Sequence, residues 1–83
     1  MISTNSIEID GQTTSGTAYA AIRRMLLDGL LAPGVTVSQL ELSRKLGCSA
    51  QPVLEAMRRL ESERLFVKQP RKMARVRELS LSA

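Results

Sequence analysis

Six basic side chains lie between residues 64 and 77 with no acidic residue among them: Arg64, Lys68, Arg71, Lys72, Arg75 and Arg77. Guanidinium and ammonium groups at this density bind phosphates, so the chemistry predicted here is recognition of a polyanion. The bias is local, because residues 1–43 carry two basic and four acidic side chains, whereas residues 44–83 carry ten basic and four acidic. The positive charge therefore belongs to the second half of the chain.

The residue types that many reactions need are absent or isolated. The chain has no histidine and one cysteine, Cys48, so it cannot build a histidine general base, a histidine-containing metal site or an internal disulfide. No apolar run approaches the ~20 residues of a membrane span or resembles a signal peptide. We therefore expect a protein of the reducing cytoplasm that is not an enzyme, holds no metal or cofactor and has no membrane partner.

The segment that must position the cations is 38–67, where a short helical pattern, a glycine and a longer helical pattern precede a strand. Ser38 can cap the first of these helices, and Glu41 three residues later completes a capping box. Gly47 is expected to end that helix and Ser49 to cap the next one. This order is typical of a helix-turn-helix, which presents its second helix to the major groove of DNA.

Upstream of this segment, apolar residues recur at helical spacing from Thr17 onward: Ala18, Ala21, Ile22, Met25, Leu26 and Leu30. This first helix must end before Pro33, because a proline ring clashes with the preceding turn of a helix. A brief extended piece is expected at 35–37, and the second and third helices are predicted at 38–46 and 50–63.

Downstream, short strands are predicted at 65–67 and 74–76, around a turn at 69–72. The fold class is therefore mainly α with a small β-hairpin, a winged helix-turn-helix made of three helices and a two-stranded wing. A chain of 83 residues has room for one domain. The predicted parts are a flexible N-terminal arm at 1–16, the winged helix-turn-helix domain at 17–77, and a tail or the start of a linker at 78–83.

The exposed face of the third helix is where bases would be read. Gln51, Leu54 and Arg58 lie together on the wheel, roughly 100–160° from the inward-facing Val53. We interpret Gln51 as a reader of a base edge and Leu54, with Ala50, as a contact for thymine methyl groups. The hydroxyl of the capping serine and nearby backbone N–H groups would bind a phosphate.

Three stretches of the chain, AYAAIRRMLLDGLLAPG, ELSRKLGCS and PVLEAMRRLESERLFV, closely resemble the DNA-binding domain of GntR-family bacterial transcription regulators, most nearly the FadR-like branch. The resemblance covers about residues 18–76. It implies operator binding as a homodimer, under the control of a small molecule held in a larger C-terminal domain. We expect that effector domain to be absent from this chain, so effector control would apply only if the full-length protein has one.

The chain departs from the family at positions that matter for reading DNA. The resemblance implies arginines, which contact phosphates or guanines, at the positions of Leu40, Ala50 and Leu54. It also implies a glycine at Arg64, after the recognition helix, and another at Met73 in the wing. The scaffold is therefore expected to follow the family, but the base specificity is not.

Two functions remain open from the sequence. The first is sequence-specific binding of double-stranded DNA by a transcription regulator, with the third helix in the major groove and the basic wing on the backbone or minor groove. The alternative is a winged-helix adaptor that binds a protein, or a decayed regulator with little specific DNA binding. The predicted DNA contacts are Ser38, Leu40, Ser49, Ala50, Gln51, Leu54, Arg58, Arg71, Lys72 and Arg75.

Overall fold

A computed structural model describes residues 14–78 of the protein. The predicted N-terminal arm lies outside the described residues as far as residue 13, and the predicted tail lies outside them from residue 79. The elements, in chain order, are α1 (Ser15–Leu27), β1 (Thr36–Ser38), α2 (Gln39–Leu46), α3 (Ala50–Ser62), β2 (Phe66–Gln69) and β3 (Met73–Val76). Three helices and a small antiparallel sheet confirm the predicted winged helix-turn-helix fold.

The first helix begins earlier and ends earlier than its apolar spacing predicts. It starts at Ser15, two residues before the expected Thr17. After its last turn, Gly29 adopts a φ of 79°, which turns the chain out of the helical path. The prediction that Leu30 continues the buried face was therefore wrong: Leu30 is 64% exposed, and Leu31 is the residue that returns to the core, at 5%.

The sheet has three strands, in the order β1-β3-β2; the sequence predicted the two strands of the wing and a brief extended piece at 35–37, but not that this piece pairs with the wing. Both pairings are antiparallel, with Val37 of β1 opposite Ala74 of β3 and Lys68 of β2 opposite the same residue. The extra strand has only three residues. A segment so short carries too little alternation to indicate its pairing, because its place in the sheet depends on the distant β3.

The core is built from apolar side chains of all six elements, and these are aliphatic except for Phe66 of β2. The first helix packs mainly against α3, which also contacts α2 and β2. Phe66 is the largest fully buried side chain, and burying a residue of this kind stabilises the fold by about 1.5–3 kcal/mol. Within the described residues 14–78, no helix has the length and apolar content needed to cross a membrane.

Candidate nucleic-acid interface

The first turn of α2 carries the predicted capping box. The Ser38 hydroxyl accepts a hydrogen bond from the Glu41 backbone N–H at 3.0 Å, and a Glu41 carboxylate oxygen accepts one from the Ser38 N–H at 3.0 Å. Two otherwise unpaired donors of the helix are thereby satisfied. Gly47 ends α2 in the left-handed conformation, at φ 69°, as predicted. The start and end of α2 are thus fixed by local chemistry.

The start of α3 differs from the prediction, because Ser49 makes no side-chain cap hydrogen bond although its backbone is extended as a cap requires. A capping oxygen accepts from the backbone N–H of the second or third helical residue, and here the third is Pro52, which has no N–H. Ser49 is therefore the N-cap residue, as predicted, but its side chain does not make the capping bond. Its hydroxyl is exposed, next to the first turn of the helix.

The predicted reading face of α3 lies toward the wing. Gln51 is exposed, and its amide donates a hydrogen bond to a Glu55 carboxylate oxygen at 3.3 Å. Ala50 and Leu54 are half-buried, and Arg58 is exposed. The face therefore mixes one polar group, two small or apolar groups and one cation.

An open groove of about 230 Å³ separates this face from the wing. Leu54 and Arg58 line it from α3, while Lys68, Arg71 and Lys72 line it from the wing. The third helix and the wing thus place four cations, with the carboxylate of Glu61, around one concave surface. The other predicted contacts are not among the residues that line the groove: Ser38, Leu40, Ser49, Ala50, Gln51 and Arg75.

Arg75 lies on the other face of the sheet. Its neighbours in β3, Ala74 and Val76, are buried, so Arg75 points away from the core, beside Val67 and Arg77. Arg75 was predicted as a contact together with the two cations of the wing turn, but in the structure it lies on the face of the sheet away from the groove. Leu40, for its part, is 55% exposed on the first turn of α2.

The wing turn brings its two cations to the groove through unusual backbone geometry. Gln69 pairs with Met73, which leaves a three-residue loop. Within that loop Arg71 and Lys72 have φ values of 62° and 58°. This left-handed region costs roughly 1–2 kcal/mol for each residue that carries a side chain. Both side chains are exposed.

Two residues that shape this surface, Lys68 and Gln39, were not among the contacts predicted from the sequence. Lys68 lines the groove because it follows the buried Phe66 by two positions, and side chains at that spacing share one face of a strand. Gln39 is only 9% exposed and joins α2 to the wing and to α3. Its position three residues before Leu42 and seven before Leu46 was the available signal, since this spacing places it on the buried stripe.

Cys48 lies in the turn between the two helices and is half-buried against the core. Burial raises the pKa of its thiol. A thiol with a raised pKa is more fully protonated at neutral pH and is a weaker nucleophile. Its place under α2 therefore suits packing and gives no sign of covalent chemistry.

A helix-turn-helix whose second helix borders a basic wing across an open groove is the arrangement of winged helix-turn-helix domains that bind DNA. Residues 14–76 match the family described as "Bacterial regulatory proteins, gntR family". The chain belongs to this family. Its relatives support DNA-binding transcription regulation as the function of the domain.

Two of those relatives are themselves described as uncharacterised HTH-type transcriptional regulators. The chain is 40% identical over 55 residues to the one from the TAR-I ttuE-ttuC' intergenic region of Agrobacterium vitis, covering 66% of this chain and 32% of the relative. It is 33% identical over 48 residues to YdhC of Bacillus subtilis (strain 168), covering 58% of this chain and 21% of YdhC. The chain thus matches a third or less of the length of these relatives.

Solved structures share the fold. E. coli McbR/YncC superposes with a TM-score of 0.76 at 27% identity, over 84% of this chain and 33% of that one. A GntR-family transcriptional regulator from Pseudomonas syringae pv. tomato str. DC3000 gives a TM-score of 0.66 at 34% identity, over 78% of this chain and 27% of that one. The similarity again covers the described domain of this chain and about a third of each neighbour.

Proposed function

We propose that this chain binds double-stranded DNA sequence-specifically, with α3 in the major groove and the wing on the backbone or minor groove. The observation that carries the proposal is the groove between α3 and the wing, which places Arg58 opposite Lys68, Arg71 and Lys72. Cations on both walls of one groove suit a polyanion that passes between them. The expected footprint therefore combines a helix in a groove with phosphate contacts on one side.

The start of α3 supplies the groups that meet bases and one phosphate. The exposed Ser49 hydroxyl, not engaged in capping, and the first backbone N–H groups of the helix suit a phosphate. Gln51 reads a base edge after exchanging its contact with Glu55 for the base. Ala50 and Leu54 lie against thymine methyl groups, which favours A·T pairs at those positions.

The remaining predicted contacts hold the domain on the DNA backbone. Ser38 and Leu40 lie at the start of α2, which in a helix-turn-helix crosses the phosphate backbone. Arg71 and Lys72 extend from the wing turn, where their left-handed backbone directs both side chains outward. Arg75, on the outer face of the sheet, meets a phosphate beyond the groove.

We propose a homodimer as the species that reads an operator, because two symmetric half-sites supply the affinity that one module lacks. A small-molecule effector would act only through a further C-terminal domain, as the family resemblance implies. The cytoplasm is the proposed location, since a bacterial regulator must reach the chromosome there.

An electrophoretic shift assay on duplex DNA across salt concentrations tests the proposal. Each phosphate contact contributes about 0.9 to the slope of log affinity against log salt, so four groove cations predict a slope of about −3 to −4. Absence of binding at low salt, or affinity that does not change with salt, contradicts the proposal. A selection of bound oligonucleotides then identifies the operator.

The second candidate function is a protein-binding adaptor, or a decayed regulator. The observation that favours it is the exposed Leu40 together with the half-exposed Leu54, at positions where the family resemblance implies arginine. Under this alternative, Leu54→Glu abolishes capture of the protein partner. The affinity for duplex DNA is then already weak in the wild-type chain. Retention of every partner after this substitution contradicts it.

A further inference from the structure

Gln39 connects three parts of the candidate interface. It is the first residue of α2, and its side-chain amide donates a hydrogen bond of 2.7 Å to the carbonyl of Ala50, the first residue of α3. Its backbone N–H donates a bond of 3.0 Å to the carbonyl of Lys72 in the wing turn. One residue thus joins the start of α3 to the wing turn, and of its two partners Lys72 lines the groove.

Neither bond is incidental, because each satisfies a group that has no other partner at hand. A buried amide costs free energy unless it is hydrogen-bonded, and Gln39 is only 9% exposed. The first backbone N–H of a helix has no partner within the helix, and the Lys72 carbonyl supplies one. Within residues 14–78, no buried side-chain nitrogen or oxygen lacks a hydrogen-bond partner.

The wing turn depends on such an anchor. Arg71 and Lys72 both adopt left-handed backbone conformations, which persist only where the surrounding structure holds them. The bond from the Gln39 N–H holds the carbonyl of the second one in place. The same residue fixes the start of α3 through its side chain, so the distance between the wing turn and the recognition helix is set at one point.

We infer that Gln39 is a positioning residue, which sets the width of the groove between the wing turn and α3 without itself contacting DNA. This inference rests on the proposed function for its effect on affinity. A preformed groove binds more tightly because no ordering of the wing has to accompany association. Loss of the side-chain bond leaves every cation in the sequence and the backbone bond to Lys72 in place, but it frees the start of α3 and so misaligns the two walls.

The first test replaces Gln39 with a residue that fills similar space without hydrogen bonding. In the full 83-residue chain, Gln39→Met removes the bond to the Ala50 carbonyl and changes no charge. Fluorescence anisotropy with duplex DNA across salt should show a loss of affinity of about fivefold or more. The salt slope should also become shallower, because the cations of the misaligned walls no longer meet the phosphates together and displace fewer counterions.

The change in salt slope separates positioning from a general loss of stability, since an uncharged, buried residue can alter it only by moving charged ones. Ser43→Ala is the matched control. Ser43 is also a buried polar residue of α2, but its hydroxyl donates within the helix, to the Leu40 carbonyl at 2.9 Å. We expect this variant to keep the wild-type slope and affinity.

The second test needs no DNA. Spin labels at Arg58→Cys and Arg71→Cys, in a Cys48→Ala background, report the distance across the groove. Gln39→Met should broaden or shift the distance distribution, and Ser43→Ala should not.

The outcomes distinguish this inference from the proposed function. If the wild-type chain fails to bind duplex DNA but Gln39→Met still shifts the distances, the proposed function fails and the positioning role stands. If the folded variant keeps the wild-type distances, salt slope and affinity, the inference is overturned. If Gln39→Met abolishes cooperative melting, Gln39 is a residue of the fold as a whole, and the inference is overturned as well.

Discussion

Arg58 and Arg59 are adjacent in α3, yet they belong to two different surfaces. Arg58 lines the groove that faces the wing. Arg59 lies over the ring of Tyr19, 3.8 Å from its centroid, and pairs with Glu63 at 3.5 Å. The Tyr19 hydroxyl donates a bond of 2.6 Å to the same carboxylate, which ties α1 to the end of α3. Arg59 therefore makes intramolecular contacts, whereas Arg58 remains available to a partner.

The α1 side and the wing side of the domain also differ in whether their cations form ion pairs. Among residues 14–78, the ion pairs join Arg24 to Asp28 at 3.1 Å and Arg59 to Glu63 at 3.5 Å, and neither involves a cation of the wing. On the α1 side, Arg24 and Arg59 are each paired with a carboxylate four residues later. On the wing side, the positive charge is left to produce a positive potential, which attracts an external anion. Placement and pairing of the charges, more than their number, therefore distinguish the binding surface.

Reversing charge on the wing turn should have the largest effect. The double variant Arg71→Glu, Lys72→Glu is expected to lose at least about 100-fold in duplex affinity, because hydrogen bonds to charged groups contribute about 1.5–3 kcal/mol each. The control with equal change in net charge is Arg23→Glu, Arg24→Glu on α1. Both are measured by anisotropy at fixed salt. Similar losses in the two double variants would mean that net charge alone governs binding.

The adjacent arginines of α3 offer the next test. Arg58→Ala should weaken duplex binding by about tenfold, as expected for one lost charged contact, and should leave the melting temperature nearly unchanged. Arg59→Ala should lower the melting temperature, because it removes the contact with Tyr19 and the pair with Glu63. Its duplex affinity should match the wild type. If Arg58→Ala lowered the melting temperature and Arg59→Ala weakened duplex binding, the assignment of the two surfaces would be contradicted.

Two arginines in left-handed conformations provide a matched pair with a smaller expected effect. Arg64 and Arg71 have φ values of 66° and 62°. Replacing either with glycine should stabilise the fold by about 0.5–1 kcal/mol, since the relief of backbone strain exceeds the entropy that glycine adds to the unfolded chain. Denaturant titration measures this change.

Only the wing variant should affect binding. Arg71→Gly is expected to reduce the magnitude of the salt slope by about 0.9, the contribution of one phosphate contact. Arg64→Gly, which alters the end of α3 away from the groove lining, should keep the wild-type slope. Equal slopes for the two variants would remove Arg71 from the DNA contacts.

What the sequence predicted well depends on local chemistry. The capping box of Ser38 and Glu41, and the left-handed Gly47, are signals confined to a few neighbouring residues, and the structure contains both. The missing side-chain bond of the N-cap Ser49 was also partly within reach, because Pro52 lacks one of the two N–H groups that such a bond could use. These features need no knowledge of the rest of the fold.

What the sequence missed depends on contacts between distant segments. The third strand forms only because β3 lies beside residues 36–38. The double connection of Gln39 requires the wing turn and the start of α3 to meet at one place. The position of Arg75 could have been inferred from the alternation with its buried neighbours, but only once the strand was known to cover the core. Charge along the sequence therefore placed the cations of the groove in the second half of the chain, but it did not give their geometry.

The smallest expected effect concerns the α1 side and its dependence on pH. The hydrogen bond from the Tyr19 hydroxyl to Glu63 raises the pKa of Tyr19 above its ordinary value of 10.0. A group whose pKa is raised on folding contributes stability below the unfolded pKa and loses that contribution as the pH rises through the folded one. Tyr19→Phe should therefore be less stable than the wild type at pH 7, by denaturant titration. The difference should shrink once the pH exceeds the raised pKa, because the phenolate cannot donate and is repelled by the carboxylate. A stability difference that stays constant from neutral to alkaline pH would instead assign the effect to packing of the ring against Arg59. The duplex affinity at pH 7 should be the same in both proteins.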